Sequence, residues 1–225
     1  MNSILKLLIA LLIAVPNVAI SCWAQEPVKL ESLLAAIKGK YSAIDSLEAH
    51  FVQKNFVATL NQVREFEGTL YLKRPHLFRM DVTSPSPQQL VFDGKYYWVY
   101  TEASCQVLKN PVPPDFSQHP LINLIHTMEN LEQDFIISQG VTQSADEHSL
   151  TLALKESAGD IEGVNLIVSK NLQIRRLMLR YSNGNNTQFF LSAITENPHI
   201  ASEQFRFEPP AGAEVIENPV TTQTP

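Results

Sequence analysis

Glycine is scarce in this chain, eight in 225 residues. No glycine-rich phosphate loop and no G-x-S-x-G elbow occurs, so the cradle for a nucleotide and the strand–turn–helix seat of a serine nucleophile both lack their sequence basis. Cysteine is scarcer still, with only Cys22 and Cys105. Cys105 lies in a loop-like stretch without a local base and reads as a chance free thiol. The six histidines, His50, His76, His119, His126, His148 and His199, include no pair at metal-ligand spacing. Positive charge is short as well: 17 Lys and Arg stand against 23 Asp and Glu, for a net charge of −6. An acidic chain without a basic stripe is a poor binder of nucleic acid or of an anionic membrane. No internal repeat, low-complexity block or domain boundary interrupts it. Together these shortages speak for binding over catalysis: no enzyme, no cofactor and no metal is expected.

Long apolar runs are also missing, with one exception. Leu7 to Val15 follows Lys6 and ends at Pro16, and Cys22 and Ala24 place small residues at −3 and −1 before Gln25. That is the pattern of a secretory signal peptide over residues 1–24, cut after Ala24, and too short for a good membrane span. A rival reading takes Ala19-Ile20-Ser21-Cys22 as a weak lipoprotein cleavage box, which would leave a lipid anchor on Cys22. Loss of the leader removes one lysine and leaves 16 basic residues against 23 acidic ones. Cys105 then stands alone and can form no internal disulfide, so stability must come from burial.

What the chain has in quantity is alternation. From Arg64 to Arg74, Phe66, Gly68, Leu70 and Leu72 share one parity, while Glu65, Glu67, Thr69, Tyr71 and Lys73 take the other. This marks a half-buried antiparallel strand. Pro75 stops it, and Phe78, Met80 and Val82 restart the pattern. Arg74 has the parity of Leu70 and Leu72. Either it curls into water at a strand end, or its five donors hold something across the apolar surface. Glu48 to Phe56 forms an earlier strand. Gln88 to Phe92 and Lys95 to Thr101 flank Asp93-Gly94, a strong hairpin signal. A two-residue turn there would group Val91 with Tyr96, Trp98 and Tyr100, and Leu90 and Phe92 with Tyr97 and Val99. Both groups are apolar, so both faces of the hairpin should be covered, and the pattern does not say which faces inward. Further strands are expected at Phe135 to Ser138, Ser149 to Lys155, Val164 to Ser169, Leu172 to Tyr181 and Thr187 to Ile194, with Asn183-Gly184 as a second hairpin turn. Phe205 and Phe207 alternate before Pro209-Pro210.

Helical signals are few. Leu30, Leu33, Leu34, Ile37, Tyr41 and Ile44 recur at i, i+3, i+4 and i+7, which predicts one amphipathic helix over about 29–44. Pro111, Pro113 and Pro114 read as a stiff connection. Pro120 can then open a short helix carrying Leu121, Ile122, Leu124, Ile125 and Met128, apolar nearly all round. It is either an ordinary core helix or a plug that fills a cavity and can leave it. The sum is a mainly β fold: one strongly curved antiparallel sheet of about ten or eleven strands, an incomplete barrel, with helices over an apolar concave face. The inward residues expected are Phe66, Leu70, Leu72, Phe78, Met80 and Val82, with Trp98 added from the hairpin. An exported protein with such a hollow is suited to acyl chains, since each buried CH₂ is worth about 0.8 kcal/mol.

The stretches YLKRPHLFRMDV (71–82), LVFDGKYYWVY (90–100) and FRFEPPAGAEV (205–215), in that order, resemble the periplasmic outer-membrane lipoprotein carrier family, LolA. The resemblance covers essentially the whole chain past residue 24. It implies an incomplete β-barrel closed by helices, with a cavity for lipoprotein acyl chains. It also implies loading from an inner-membrane ABC-type release complex, delivery to an outer-membrane receptor, a periplasmic location and a monomer. In that family the arginine of K-R-P holds the helical lid through hydrogen bonds to its backbone, which falls here on Arg74. The lid would carry Leu121, Leu124, Ile125 and Met128. The family's aromatic after that motif falls on Phe78. Met80 stands where an aromatic is usual, and methionine keeps the site flexible and apolar. The alternative, a lipid-anchored half-barrel receptor or envelope-stress sensor, would need the lipidated Cys22.

Overall fold

The computed structural model describes residues 29–111, 124–142, 144–156 and 160–217. The expected leader with Cys22, the residues Pro113, Pro114, Pro120 and Leu121, and the tail 218–225 lie outside them. Twelve strands form one sheet: β1 (Ser46–Val57), β2 (Gln62–Lys73), β3 (Leu77–Ser84), β4 (Gln88–Phe92), β5 (Tyr96–Thr101), β6 (Gln106–Pro111), β7 (Phe135–Gln139), β8 (Glu147–Leu154), β9 (Ile161–Ser169), β10 (Ile174–Tyr181), β11 (Asn186–Glu196) and β12 (Glu214–Glu217). Their order across the sheet is β12-β6-β5-β4-β3-β2-β1-β11-β10-β9-β8-β7. Its ends, β12 and β7, do not pair, so the curved sheet stays open. Every neighbouring pair is antiparallel except β12 with β6.

The strands follow the alternation that marks them in the sequence. β2 and β3 show the expected period of two in burial, with Leu70, Leu72, Phe78, Met80 and Val82 inside. Two strands carry no such mark. In β6, Gln106–Pro111, only Val107 is buried, and Pro111 is its last residue, paired with Tyr96, instead of part of a stiff connection. β12 has four residues and no buried one. Leu172 takes φ +62 in a turn, so β10 begins at Ile174. Phe205 and Phe207 belong to no strand: Ser202–Phe205 is a 3-10 turn.

The β4–β5 turn is centred one residue later than Asp93-Gly94. Asp93 faces Tyr96, donating its N–H to the Tyr96 carbonyl, and Gly94 carries φ +91. The Asp93 carboxylate accepts the N–H groups of Lys95 (2.8 Å) and Tyr96 (2.7 Å) with one oxygen and the Trp98 indole N–H (2.9 Å) with the other. Those three bonds tie the Asp93 side chain across the turn, and the paired arms end at Phe92 and Tyr97. The slip is one residue on each arm, so the face grouping survives: Val91 lies opposite Trp98, and Phe92 opposite Tyr97.

A bulge interrupts the pairing of β2 with β3. The register shifts between Glu67 and Gly68, and a Cβ on Gly68 would lie 1.9 Å from the Asp81 carbonyl oxygen. Only glycine permits that approach.

Two helical pieces sit in the hollow. α1 (Leu30–Tyr41) buries Leu33, Leu34, Ile37 and Tyr41 against the sheet, the stripe predicted from its spacing. α2 (Leu124–Glu129) and the single turn α3 (Leu131–Asp134) follow, and α3 runs straight into β7. α1 and α2 pack on each other. One continuous apolar cluster joins both helices to the concave face of all the strands from β1 to β4 and β7 to β11.

Candidate functional site

The site grows out of rows of side chains set by register. Leu47, Leu72, Phe78, Phe92 and Tyr97 lie side by side across β1, β2, β3, β4 and β5. The next row is Ala49, Leu70, Met80, Leu90 and Val99. Below it, Phe51 faces Gly68, which faces Val82. Gln53 and Phe66 come next, and there the lining turns polar: the Gln53 amide donates to Asn55 Oδ1. The apolar floor therefore has a dry end under the helices and a wetter end away from them. Burial pushes the Tyr97 phenol up to about 12, as expected for a hydroxyl set into this layer.

Of the residues expected to line the hollow, Leu70, Leu72, Phe78, Met80 and Val82 are each at most 5% exposed and belong to the concave cluster. Phe66 is half-buried and packs against it. The lid residues Leu124, Ile125 and Met128 are equally deep, while Leu121 lies outside the described residues. Trp98 does not line the hollow. It stands on the convex face with Val91, its ring 5.5 Å from that of Phe207. The cause is parity: Phe92 and Tyr97 turn inward, which sends the neighbouring Val91 and Trp98 outward.

Arg74 directly follows β2 at the rim. Its Nε donates to the Ile44 carbonyl (2.8 Å), and Nη2 donates to the Tyr41 carbonyl (3.0 Å) and to Glu129 Oε2 (2.8 Å). The guanidinium thus binds backbone carbonyls at the α1 end, and among the described residues its tie to α2 is the Glu129 carboxylate; residues 120–123 of the expected lid lie outside the described residues. Both partners of this ion pair are about a quarter exposed. The reading in which Arg74 curls into water is overturned. A small open cleft of about 70 Å³, lined by Leu34, Lys38 and residues 128–133 with Glu129 among them, runs along the seam between α1 and α2–α3.

Sequence reasoning missed two participants. Glu129 is one, since nothing in its own helix distinguishes it from a solvated carboxylate. Asn197 is the other: at φ +56 its side chain accepts the Asp45 N–H (2.7 Å) and donates to the Ala43 carbonyl (3.0 Å). An asparagine at a strand end before Pro198 is a signal for a special backbone, although its partners are more than 150 residues away. Among the described residues no group of three His, Cys, Asp or Glu is placed to hold a metal.

Residues 42–208 match the family model described as outer membrane lipoprotein carrier protein LolA. The chain belongs to the LolA family. Relatives named outer-membrane lipoprotein carrier protein include one from Pectobacterium carotovorum, 30% identical over 78% of this chain and 83% of its own. One from Methylobacillus flagellatus is 29% identical over 80% and 87%, and one from Histophilus somni is 28% identical over 95% and 97%. An uncharacterized conserved protein of Thermus thermophilus shares the fold, at 11% identity and TM-score 0.52, across 84% of this chain and all of that one. The LolA resemblance of the K-R-P and D-G-K stretches is thereby borne out, as is the mainly β, incompletely closed architecture.

Proposed function

We propose that this LolA family member is a periplasmic carrier that takes up the acyl chains of lipoproteins in the hollow of its sheet and hands them on. The observation that supports this most directly is the composition of the concave cluster: the same apolar floor is now covered by Leu124, Ile125, Met128 and Leu131 of the α2–α3 segment. Acyl chains entering the hollow replace one apolar cover with another. The gain from an acyl chain of about 15 carbons, roughly 10 kcal/mol, is offset by the helical burial given up. Binding is then strong enough to cross water and weak enough to end. The carrier function supports loading from an inner-membrane ABC-type release complex and delivery to an outer-membrane receptor. Export follows from the leader over 1–24, cut after Ala24, with the chain acting as a monomer over 25–225.

In this scheme Arg74 is the latch and Phe78, Leu72, Met80 and Val82 are the floor. Arg74 stays with the α1 carbonyls throughout, and what it releases when the lid lifts is Glu129. Uptake of a fluorescent palmitoylated peptide by the purified chain, and its transfer to acceptor vesicles, test the reading. Phe78→Glu places a charge in the apolar layer and abolishes uptake. Arg74→Leu keeps uptake and slows release. Transfer at the wild-type rate by Arg74→Leu, or wild-type uptake by Phe78→Glu, would overturn it.

A further inference from the structure

The convex face of the sheet has two halves that carry the same kinds of side chain and are finished differently. Over β3 to β6 it is strapped by the chain's own residues 198–207. Lys73 Nζ donates to the Ile200 carbonyl (2.7 Å), and Arg79 Nη1 donates to the Gln204 carbonyl (2.9 Å). Between these ties Ile200 and Phe205 are buried, as are Val91 and Val107 of the sheet beneath, while Phe207 lies against Trp98 and Tyr100. A chain segment that includes the 3-10 turn Ser202–Phe205 is thus held by sheet-borne cations on its carbonyl oxygens together with its apolar side chains.

The other half, over β9, β10, β11 and β1, has no strap among the described residues. Register sets three rows there. Val52, Phe190, Arg176 and Ile167 form the first. Lys54, Gln188, Met178 and Asn165 form the second, and Phe56, Asn186, Arg180 and Gly163 the third. The apolar members, Val52, Phe56, Ile167, Met178 and Phe190, are all only half-buried. Arg176 and Arg180 are exposed, and among the described residues neither side chain makes an ion pair or donates a hydrogen bond. Arg176 stacks on Phe190, 5.6 Å from the ring centroid, with Lys54 at 5.9 Å. Arg180 lies flat over the sheet because residue 163 is glycine: a Cβ there would sit 2.7 Å from its Nη2. The two arginines are four residues apart on one strand, about 13 Å between their backbone positions, the span of a short extended peptide.

We propose that this half of the convex face docks an extended, acidic–apolar segment of a partner protein, with Arg176 and Arg180 gripping its carboxylates and Phe190, Met178 and Val52 receiving its apolar side chains. Free guanidinium forks suit carboxylates, which they bind through paired N–H donors. The strapped half shows how such a surface holds a passing chain segment, by cations on its oxygens and apolar contacts with its side chains. Residues 218–225 contain no acidic side chain, so they do not supply that chemistry. A bilayer is a poorer fit, because a convex wall meets a flat surface along a narrow line and the chain's net charge of −6 opposes an anionic one.

The test uses the whole protein and a fluorescein-labelled ten-residue peptide alternating Glu and Val, followed by anisotropy at low salt. Saturable binding is expected, weakened about tenfold or more in Arg176→Glu/Arg180→Glu, with the Lys–Val counterpart peptide not bound. Both arginines are exposed, so the double variant keeps its melting temperature, and palmitoyl-peptide uptake through the concave face stays at the wild-type level. Equal binding by the double variant, or equal binding of the Lys–Val peptide, overturns the proposal. So does a concentration-dependent dimer that the double variant loses, which would make a second copy the occupant, or phosphatidylglycerol vesicle flotation lost in the same variant, which would make it a membrane.

Discussion

The two helices in the hollow are buried to the same depth and attached in opposite ways. The end of α1 is tied to the sheet by polar bonds on several sides. Arg74 takes its last carbonyls, Asn197 brackets Ala43 and Asp45, Ser46 Oγ donates to the Pro198 carbonyl, and Lys40 pairs with Glu196 at 2.7 Å. The Tyr41 hydroxyl also accepts the N–H of Ile174. α2 has apolar burial and, among the described residues, the single ion pair of Glu129 with Arg74. Apolar contacts are non-directional and can be exchanged for other apolar contacts, whereas a set of directed hydrogen bonds cannot be moved without leaving partners unpaired. The contrast teaches which helix is structure and which is cover.

The sharpest way to break this contrast is to place a charge under each helix. Ile37→Asp in α1 is expected to unfold the protein, costing more than about 4 kcal/mol. Leu124→Asp in α2 is expected to free the cover while the sheet stays folded, seen as binding of a hydrophobic dye with an unchanged main melting transition. Loss of the whole fold in both variants would end the distinction. Next in size is Asn197→Ala, which removes the brackets on residues 43–46 and puts alanine, which disfavours the left-handed region more than asparagine does, at positive φ. Urea unfolding should show a loss of about 2–3 kcal/mol.

A smaller global effect, with a larger local one, is expected of Glu129→Gln. A partly exposed ion pair contributes at most about 1 kcal/mol, so the urea midpoint hardly moves. Amide exchange of α2 quickens, while α1 keeps the protection of the sheet. Equal exchange of α2 in both proteins would show that the ion pair holds nothing. The smallest effect comes from pH. Burial raises the Tyr97 phenol, so the folded state holds its proton longer than the unfolded chain does. The contribution is complete below pH 10 and is lost as pH rises through about 12. Tyr97→Phe should flatten that alkaline decline in a series of urea titrations.

Much of this was legible in the residues, and the limits have physical causes. Alternation in β2 and β3 identified the floor, because a strand buried on one face writes its burial with period two. The stripe of α1 was equally plain. β6 and β12 were not, since one buried valine in the first and none in the second leave no period to read. Trp98 was misplaced because both faces of its hairpin are apolar, and only the covering segment decides which is inward. The tie between Arg74 and Glu129 spans 55 residues. A carboxylate at the end of a short helix carries no mark of the guanidinium that will meet it. What sequence parity could say was that Arg74 shared the side of Leu70 and Leu72, and that much sufficed to point at the rim.

The strap of residues 198–207 has a consequence for the empty and the filled carrier alike. It braces the wall from outside, through Lys73, Arg79 and the buried Phe205. The curve of β3 to β6 is therefore maintained by material that never enters the hollow. A vessel reinforced on its outer skin can exchange its contents without changing its shape.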